Sequence, residues 1–286
     1  MRNFIYHAPT TIGEAVSILE EHGEDARPIA GGTAMVNLMK QNMVLADHLV
    51  DLGKLTGLRG ITQISGSLHI GALTRYREVE LNPEVQSHSP LLANAYSRVA
   101  TVRIRNMATV GGGLIHADPA QDPPPALMVL NSYVELSSSR GIRELLVKDL
   151  FLDYYESALE PGELLTKLIV PPAPKGAKTV YLKFLPRTED DYATVSVAAL
   201  ARVDNGVCQD IRIALGAVAP TPFRATAVED TLKGKQVTPD AIRTASEAVV
   251  NQVDPLTDFR GSAEYKLDMA IVFTRRALEQ VLDLSS

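Results

Sequence analysis

A single cysteine, Cys208, stands in 286 residues. That excludes an internal disulfide and any iron–sulfur cluster ligated wholly by this chain, because such clusters take several thiolates. If an electron-transfer cluster is involved, another subunit carries it. No run approaches the roughly 20 apolar residues of a membrane span. The opening Met1-Arg2-Asn3-Phe4-Ile5-Tyr6-His7 is likewise free of a long apolar segment, so a cytoplasmic location is expected. Basic excess is missing as well. The formal net charge is −6 and no basic stripe is visible, which argues against nucleic acid or an anionic membrane surface as partner.

Several familiar signatures are absent. There is no G-x-G-x-x-G, no G-x-x-x-x-G-K-[ST], no G-x-S-x-G and no H-x-x-x-H pair. Nucleotide sites of the Rossmann and Walker kinds, serine hydrolases and zinc proteases therefore lose their usual anchors. His116 and Asp118, two apart and without further ligands, make a poor metal site, and no metal is expected.

What is present is an ordinary globular composition, 45% hydrophobic, enough to bury a large core in one to three domains. Two glycine clusters stand out on expected strand-to-turn junctions: Ile29-Ala30-Gly31-Gly32-Thr33 and Thr109-Val110-Gly111-Gly112-Gly113. Glycine takes positive φ and admits a ligand to the backbone, so adjacent glycines before a helix can turn several N–H groups toward one anion. Taken alone, either cluster reads first as an ordinary tight turn, which is what most Gly-Gly pairs are.

Local signals organise the rest. Thr11 and Glu14 have capping-box spacing, Ile12, Ala15, Val16, Ile18 and Leu19 share a face, and Gly23 suits the C-terminal cap. A strand is expected at 27–30, a helix through Met35, Leu38 and Met39, and a strand at 49–52, a β-turn-α-β unit of about 25 residues. Further strands are expected at 68–71, 134–137 and 164–170, with helices at 90–100 and 125–130. Pro171-Pro172-Ala173-Pro174-Lys175-Gly176 cannot continue either regular element and marks a domain border. Beyond it, strands at 179–185, 196–203 and 207–215, the last two joined by Asp204-Asn205-Gly206, read as three antiparallel strands. Helices at 225–233, 239–250 and 263–284 complete an α+β tail, the last with Leu267, Ile271, Leu278 and Leu282 on one side.

Motifs distributed nearly end to end carry a resemblance: Ala30-Gly31-Gly32-Thr33 with Met39-Lys40, Arg105-Asn106-Met107-Ala108-Thr109-Val110-Gly111-Gly112, Asp118-Pro119 through Asp122 and Pro125-Ala126-Leu127, Glu160-Pro161-Gly162-Glu163-Leu164-Leu165, and Asp190-Asp191-Tyr192-Ala193. In this order they resemble the FAD-binding medium subunits of the molybdenum hydroxylases, the xanthine dehydrogenase and carbon monoxide dehydrogenase family, and most of all the separate medium chain of the carbon monoxide dehydrogenase type.

The resemblance implies an α+β fold with an FAD-binding domain of the vanillyl-alcohol-oxidase (PCMH) type in two subdomains, 1–57 and 58–175, followed by a flavoprotein C-terminal domain at 176–286. It implies FAD on this chain, with a molybdenum-pterin cofactor on a large partner subunit and two [2Fe-2S] clusters on a small one, assembled as a dimer of heterotrimers. Electrons would pass from the clusters to FAD and on to NAD, a quinone or oxygen. A stand-alone flavin oxidase or reductase, or a non-catalytic dinucleotide-binding module, are the competing readings.

By the family pattern, Pro28, Ile29, Ala30, Gly31, Gly32, Thr33, Ala34 and Met35 wrap the flavin diphosphate, and Thr109, Val110, Gly111, Gly112 and Gly113 meet it from the second turn. Gly113 departs from the family's usual Asn and removes a side-chain contact. Asp122 corresponds to an FAD contact, with capping of the following helix as its ordinary alternative. Val99, Leu165 and Lys183 match further positions around the flavin. A cation at Lys183 would favour the reduced anion, whereas most strand lysines are simply solvated. Tyr192 matches an aromatic that lies against the isoalloxazine ring, the alternative being a sheet-edge tyrosine. No residue is expected to be catalytic in its own right.

Overall fold

The computed structural model describes residues 3–188 and 190–283. Leu284, the expected end of the last helix, lies outside the described residues. The architecture is α+β, with three principal sheets among the described residues.

The N-terminal part follows its caps closely. Thr11 Oγ1 accepts from the Glu14 amide at 3.2 Å, the Glu14 carboxylate accepts from the Thr10 amide at 2.8 Å, and Gly23 closes the Ile12–His22 helix at φ +51°. Ala15, Val16 and Leu19 of this helix pack with Val50 and Ala26 on a parallel sheet of Ile5–His7, His48–Asp51 and Ala26–Ile29, with His48–Asp51 in the centre. The expected β-turn-α-β unit is there, with the helix at Met35–Lys40. The strand Ile5–His7 adds a member that too few residues announce. Pro28 sits on an edge strand, where a missing N–H costs little.

The second part is a five-stranded antiparallel sheet in the order Ile61–Ile64, Ser67–Gly71, Leu164–Val170, Tyr133–Ser138 and Gly141–Leu146. One expectation fails here. The second glycine cluster is not a strand-to-turn junction but the first turns of a helix, Val110–His116, capped by Thr109. In the loop entering the central strand, Gly162 at φ +78° lets Glu163 turn inward, where its oxygens accept from Arg143 Nε and Nη2, both at 2.7 Å.

The C-terminal sheet has four antiparallel strands rather than three: Lys178–Phe184, Val195–Asp204, Val207–Gly216 and the two-residue Phe223–Arg224, too short to show a period. Asn205 and Gly206 both have positive φ, as a type I′ hairpin requires. One face of this sheet packs on the Thr226–Leu232, Pro239–Glu247 and Ala263–Val281 helices. The long helix buries Ala270, Phe273, Ala277, Leu278 and Val281, while Leu267 and Ile271 are only half-buried. The other face contributes Tyr181, Ala198, Leu200 and Ala214 to the central core, against the Pro123–Val129 helix, all of whose residues are buried.

The Arg143 pair holds the Glu163 carboxyl below its ordinary range. Its stabilisation is therefore complete above the unfolded pKa and is lost as pH falls through the lower folded value. Glu163→Gln is expected to cost about 1–2 kcal/mol at pH 7, discounted for the partly exposed guanidinium. Denaturant unfolding at pH 7 and below pH 4 checks this: the gap to the natural protein closes on acidification.

Candidate functional site

The paired strands Ala26–Ile29 and His48–Asp51 end together, Ile29 opposite Asp51, and the first glycine cluster leaves from that carboxyl end. A Cβ on Gly31 would stand 2.1 Å from the Met107 carbonyl oxygen, so only glycine lets the two segments meet. Gly32 follows at φ +72°. The first helical bond runs from the Val36 amide to the Gly32 carbonyl at 3.1 Å. The amides of Thr33, Ala34 and Met35 have no acceptor among the described residues, leaving successive donors at a helix start on the carboxyl end of parallel strands. An anion is what such a place accommodates.

The second cluster works differently from the expectation of free donors. The Val110 amide donates to the Thr74 carbonyl at 3.0 Å, Gly111 to Ala72 at 2.8 Å, Gly112 to Thr109 Oγ1 at 3.2 Å and Gly113 to the Thr109 carbonyl at 2.9 Å. Every amide from Val110 to Gly113 is engaged. These glycines serve close approach instead. A Cβ on Gly111 would lie 2.8 Å from the Ala72 Cβ, and one on Gly112 would face the Ala30 Cβ at 3.8 Å. A Cβ on Gly113 would fall 1.7 Å from the Tyr76 hydroxyl oxygen, so the asparagine of the family pattern has no room here. Gln121 Nε2 donates to the Gly113 carbonyl at 2.7 Å and fixes the same corner.

The structure thus brings the stretch from Ala30 to Gly32 against Met107 and Gly112. Pro28 and Ile29 form the strand that leads in, and Thr33 to Met35 the helix start. Leu165 is buried in the Leu164–Val170 strand, beside Thr166, whose carbonyl receives the Ala72 amide at 3.0 Å under Gly111. Val99 stands by a second cluster: its carbonyl accepts from Arg105 Nη1 at 2.8 Å, and the neighbouring Arg98 carbonyl accepts from Lys183 Nζ at 2.9 Å.

Lys183 is not a solvated strand lysine. Its ammonium is enclosed and donates to Asp122 Oδ2 at 3.0 Å, while the Tyr181 hydroxyl donates to Asp122 Oδ1 at 2.6 Å. Burial raises the Asp122 carboxyl to about 6, against the pull of Lys183 and Tyr181. Asp122 occupies the cap position of the Pro123–Val129 helix yet makes no side-chain capping bond, so its capping alternative does not hold. Because the cation has a carboxylate partner, Lys183 presents less net charge to any neighbour than the sequence suggests.

A rim of hydroxyls and one acid lies beyond. Asp118, buried, accepts from the Ala120 amide at 2.9 Å, and the Tyr155 hydroxyl points at its other oxygen at 3.5 Å. Tyr192 is 52% exposed as a whole. Enclosure of its hydroxyl end and then the Asp118 carboxylate raise its phenol. Burial lowers the His116 imidazole, 5.3 Å from the Tyr155 ring. Among the described residues, His116 and Asp118 belong to no group of three metal-ligating side chains. Tyr76 escaped the sequence reading because it contributes only through the distant Gly113, whereas Met107 and Gln121 lie in motifs that the sequence shows but without the contacts to Gly31 and Gly113 that give them a role. Asp118 carried a signal, its place in the Asp118-Pro119 motif.

Comparison with known proteins adds the following. The model of the FAD binding domain in molybdopterin dehydrogenase matches residues 2–173, and that of the CO dehydrogenase flavoprotein C-terminal domain matches residues 180–281. The chain is similar to the carbon monoxide dehydrogenase medium chain of Hydrogenophaga pseudoflava, 35% identical over 275 residues and covering 96% of each chain. It is also similar to the glyceraldehyde dehydrogenase medium chain of Sulfolobus acidocaldarius, 34% identical over 278 residues, covering 97% of this chain and 98% of that one. Its structure superposes with a TM-score of 0.96 and 36% identity on carbon monoxide dehydrogenase from Hydrogenophaga pseudoflava lacking the Mo-pyranopterin moiety of the molybdenum cofactor, covering 100% of this chain and 99% of that chain.

Asp122→Asn or Lys183→Met alone leaves the other group buried without its counter-charge, at an expected cost of about 3 kcal/mol or more. The double variant should regain over half of that loss in a denaturant double-mutant cycle. The native Asp122 holds a proton near pH 6 that the unfolded chain releases at about pH 4. Acidification across that interval should therefore stabilise the natural protein by a contribution the double variant lacks.

Proposed function

The chain belongs to the family of FAD-binding medium subunits of the molybdenum hydroxylases, and from that membership we propose that it is the electron-transfer subunit between [2Fe-2S] clusters on a small partner chain and an external acceptor, NAD, a quinone or oxygen. It is an oxidoreductase subunit, and FAD is its cofactor. Bound FAD exchanges electrons singly or in pairs, which suits a junction between one-electron clusters and a two-electron acceptor.

The observation that carries this reading is the Gly31–Met107 approach, with the unpaired Thr33, Ala34 and Met35 amides beside it. Those donors would neutralise a diphosphate locally in a chain of net charge −6, without a basic patch. We assign Thr109 to Gly113 to the opposite wall of the cradle, where the glycines give backbone access and Gly113 contributes no side chain. Val99, Leu165, Asp122 and Lys183 are assigned to the walls around the flavin, the ion pair acting by fixing shape more than by adding charge. Tyr192, half exposed beside Asp118, is assigned to the ring's approach path, where it limits access of the acceptor.

The chain is divided in this proposal into units 1–57, 58–175 and 176–286. A large molybdopterin-binding subunit and the small cluster subunit complete a cytoplasmic dimer of heterotrimers. Exposed Val102, Ile104 and Met107, next to the cradle, offer an apolar surface for such a neighbour. No helix among the described residues is long and apolar enough to cross a membrane. The chemistry done by the assembled complex is set on the large subunit, so substrate identity is read there and not from this chain.

Purified chain should show the visible absorption of bound flavin and release FAD at one per chain on denaturation. A colourless protein that refuses added FAD would sink the proposal. Gly31→Ala forces a Cβ against the Met107 carbonyl and should weaken FAD binding by at least tenfold, measured by quenching of flavin fluorescence, with the far-ultraviolet circular dichroism unchanged.

A further inference from the structure

Three histidines far apart in sequence meet on one face of the N-terminal sheet, around the start of its central strand. His48 opens the central strand two residues before Val50, so it shares the face on which Val50 is buried beneath the Ile12–His22 helix. In the parallel register Ile5 pairs with His48 and His7 with Val50, which puts His7 on that face as well. His22 is the last residue of the helix, one turn beyond the buried Leu19.

The rings converge accordingly. The His22 and His48 rings stack with centroids 3.6 Å apart, and the His7 and His48 centroids are 5.2 Å apart. His7 Nε2 lies 2.9 Å from His48 Nδ1. One ring nitrogen from each of the three lies within 4.8 Å of the others, and all three residues are partly buried. Packing three imidazoles so closely gains little as hydrogen bonding, because the His7–His48 contact uses one donor and one acceptor and His22 adds only a stacked ring.

We propose that His7, His22 and His48 bind one divalent transition-metal ion of the zinc class. Imidazole nitrogens hold zinc at about 2.0–2.1 Å, which spaces tetrahedral ligand atoms about 3.3 Å apart. The His7–His48 separation of 2.9 Å lies within about half an ångström of that value, and metal binding turns the His22 ring out of its stack on His48 so that its lone pair faces the ion. Three nitrogen ligands leave the fourth position to water. No acid joins the group among the described residues, and an all-imidazole set suits zinc, copper or nickel over magnesium or calcium.

The role is structural. The ion would tie the edge strand Ile5–His7 to the central strand and to the end of the helix, adding to the short parallel ladder and to the Tyr6 hydroxyl that donates to Asp51. His48 pairs with Ala26, three residues before the Ile29–Asp51 pair at the cradle, about 10 Å along the strands. His7, level with Val50, lies across the central strand from the Ala26–Ile29 strand that carries the glycine turn, so the three imidazoles share no residue with the cradle and the inference stands independently of the flavin.

The test is calorimetric titration of the chelator-treated full chain with Zn²⁺. One ion per chain is expected, with a zinc-dependent rise in melting temperature, as for any ligand that binds only the folded state. His22→Gln and His48→Gln should each weaken binding at least tenfold and abolish that rise while FAD content stays at the natural level. His7→Gln, at the sheet edge, supplies the same comparison if either of the others fails to fold. A natural chain that takes up no zinc, or binds it no more tightly than the His7→Gln variant, overturns the site.

Discussion

The candidate site depends on two backbones approaching closer than any side chain would allow. Gly31 lies on the Met107 carbonyl, and with that contact the parallel N-terminal sheet and the segment leading to the Val110–His116 helix become two sides of one cleft. Other features fall into place around it. Arg75 Nη1 donates to that same Met107 carbonyl, the Tyr76 amide donates to the Ala108 carbonyl at 3.0 Å, and Val110 and Gly111 are tied to Thr74 and Ala72. The segment from Ala72 to Tyr76 therefore acts as a brace that holds the second wall at fixed height.

The two walls divide the work in a way their similar sequences conceal. One leaves the Thr33, Ala34 and Met35 amides without an acceptor among the described residues. The other has used its own amides to secure itself and gives only proximity. A flexible wall on both sides would have to be ordered on binding, at an entropic cost. Here the amides of one side are already paired within the chain, and the side opposite carries amides with no acceptor among the described residues.

Legibility from sequence followed the range of the interaction. The Thr11 cap, the positive φ of Gly23 and the Asn205-Gly206 turn are settled within a few residues, and the corresponding elements were readable. The helical state of Val110–His116 was not, since three consecutive glycines have poor helix propensity. Its helix is imposed by Thr109 at its start and by carbonyls from the Ala72–Thr74 segment. Strand alternation could place Lys183 on a face but not say that Asp122 waits there, and Gly113 is explained only by Tyr76, a residue with no local signal. His7, His22 and His48 were three unremarkable histidines until register and helix phase set them on one face.

The start of the Pro123–Val129 helix has a consequence for Asp122. A residue at the cap position ordinarily has a competing engagement, because the amides two and three positions on seek its oxygens. Here those positions are Pro124 and Pro125, and Pro123 precedes them, so the first turn has no hydrogen to offer. The carboxylate has no fallback partner within its own helix. Its commitment to Lys183 and Tyr181 is thereby made exclusive by the imino acids after it, and the buried cluster has one arrangement instead of two.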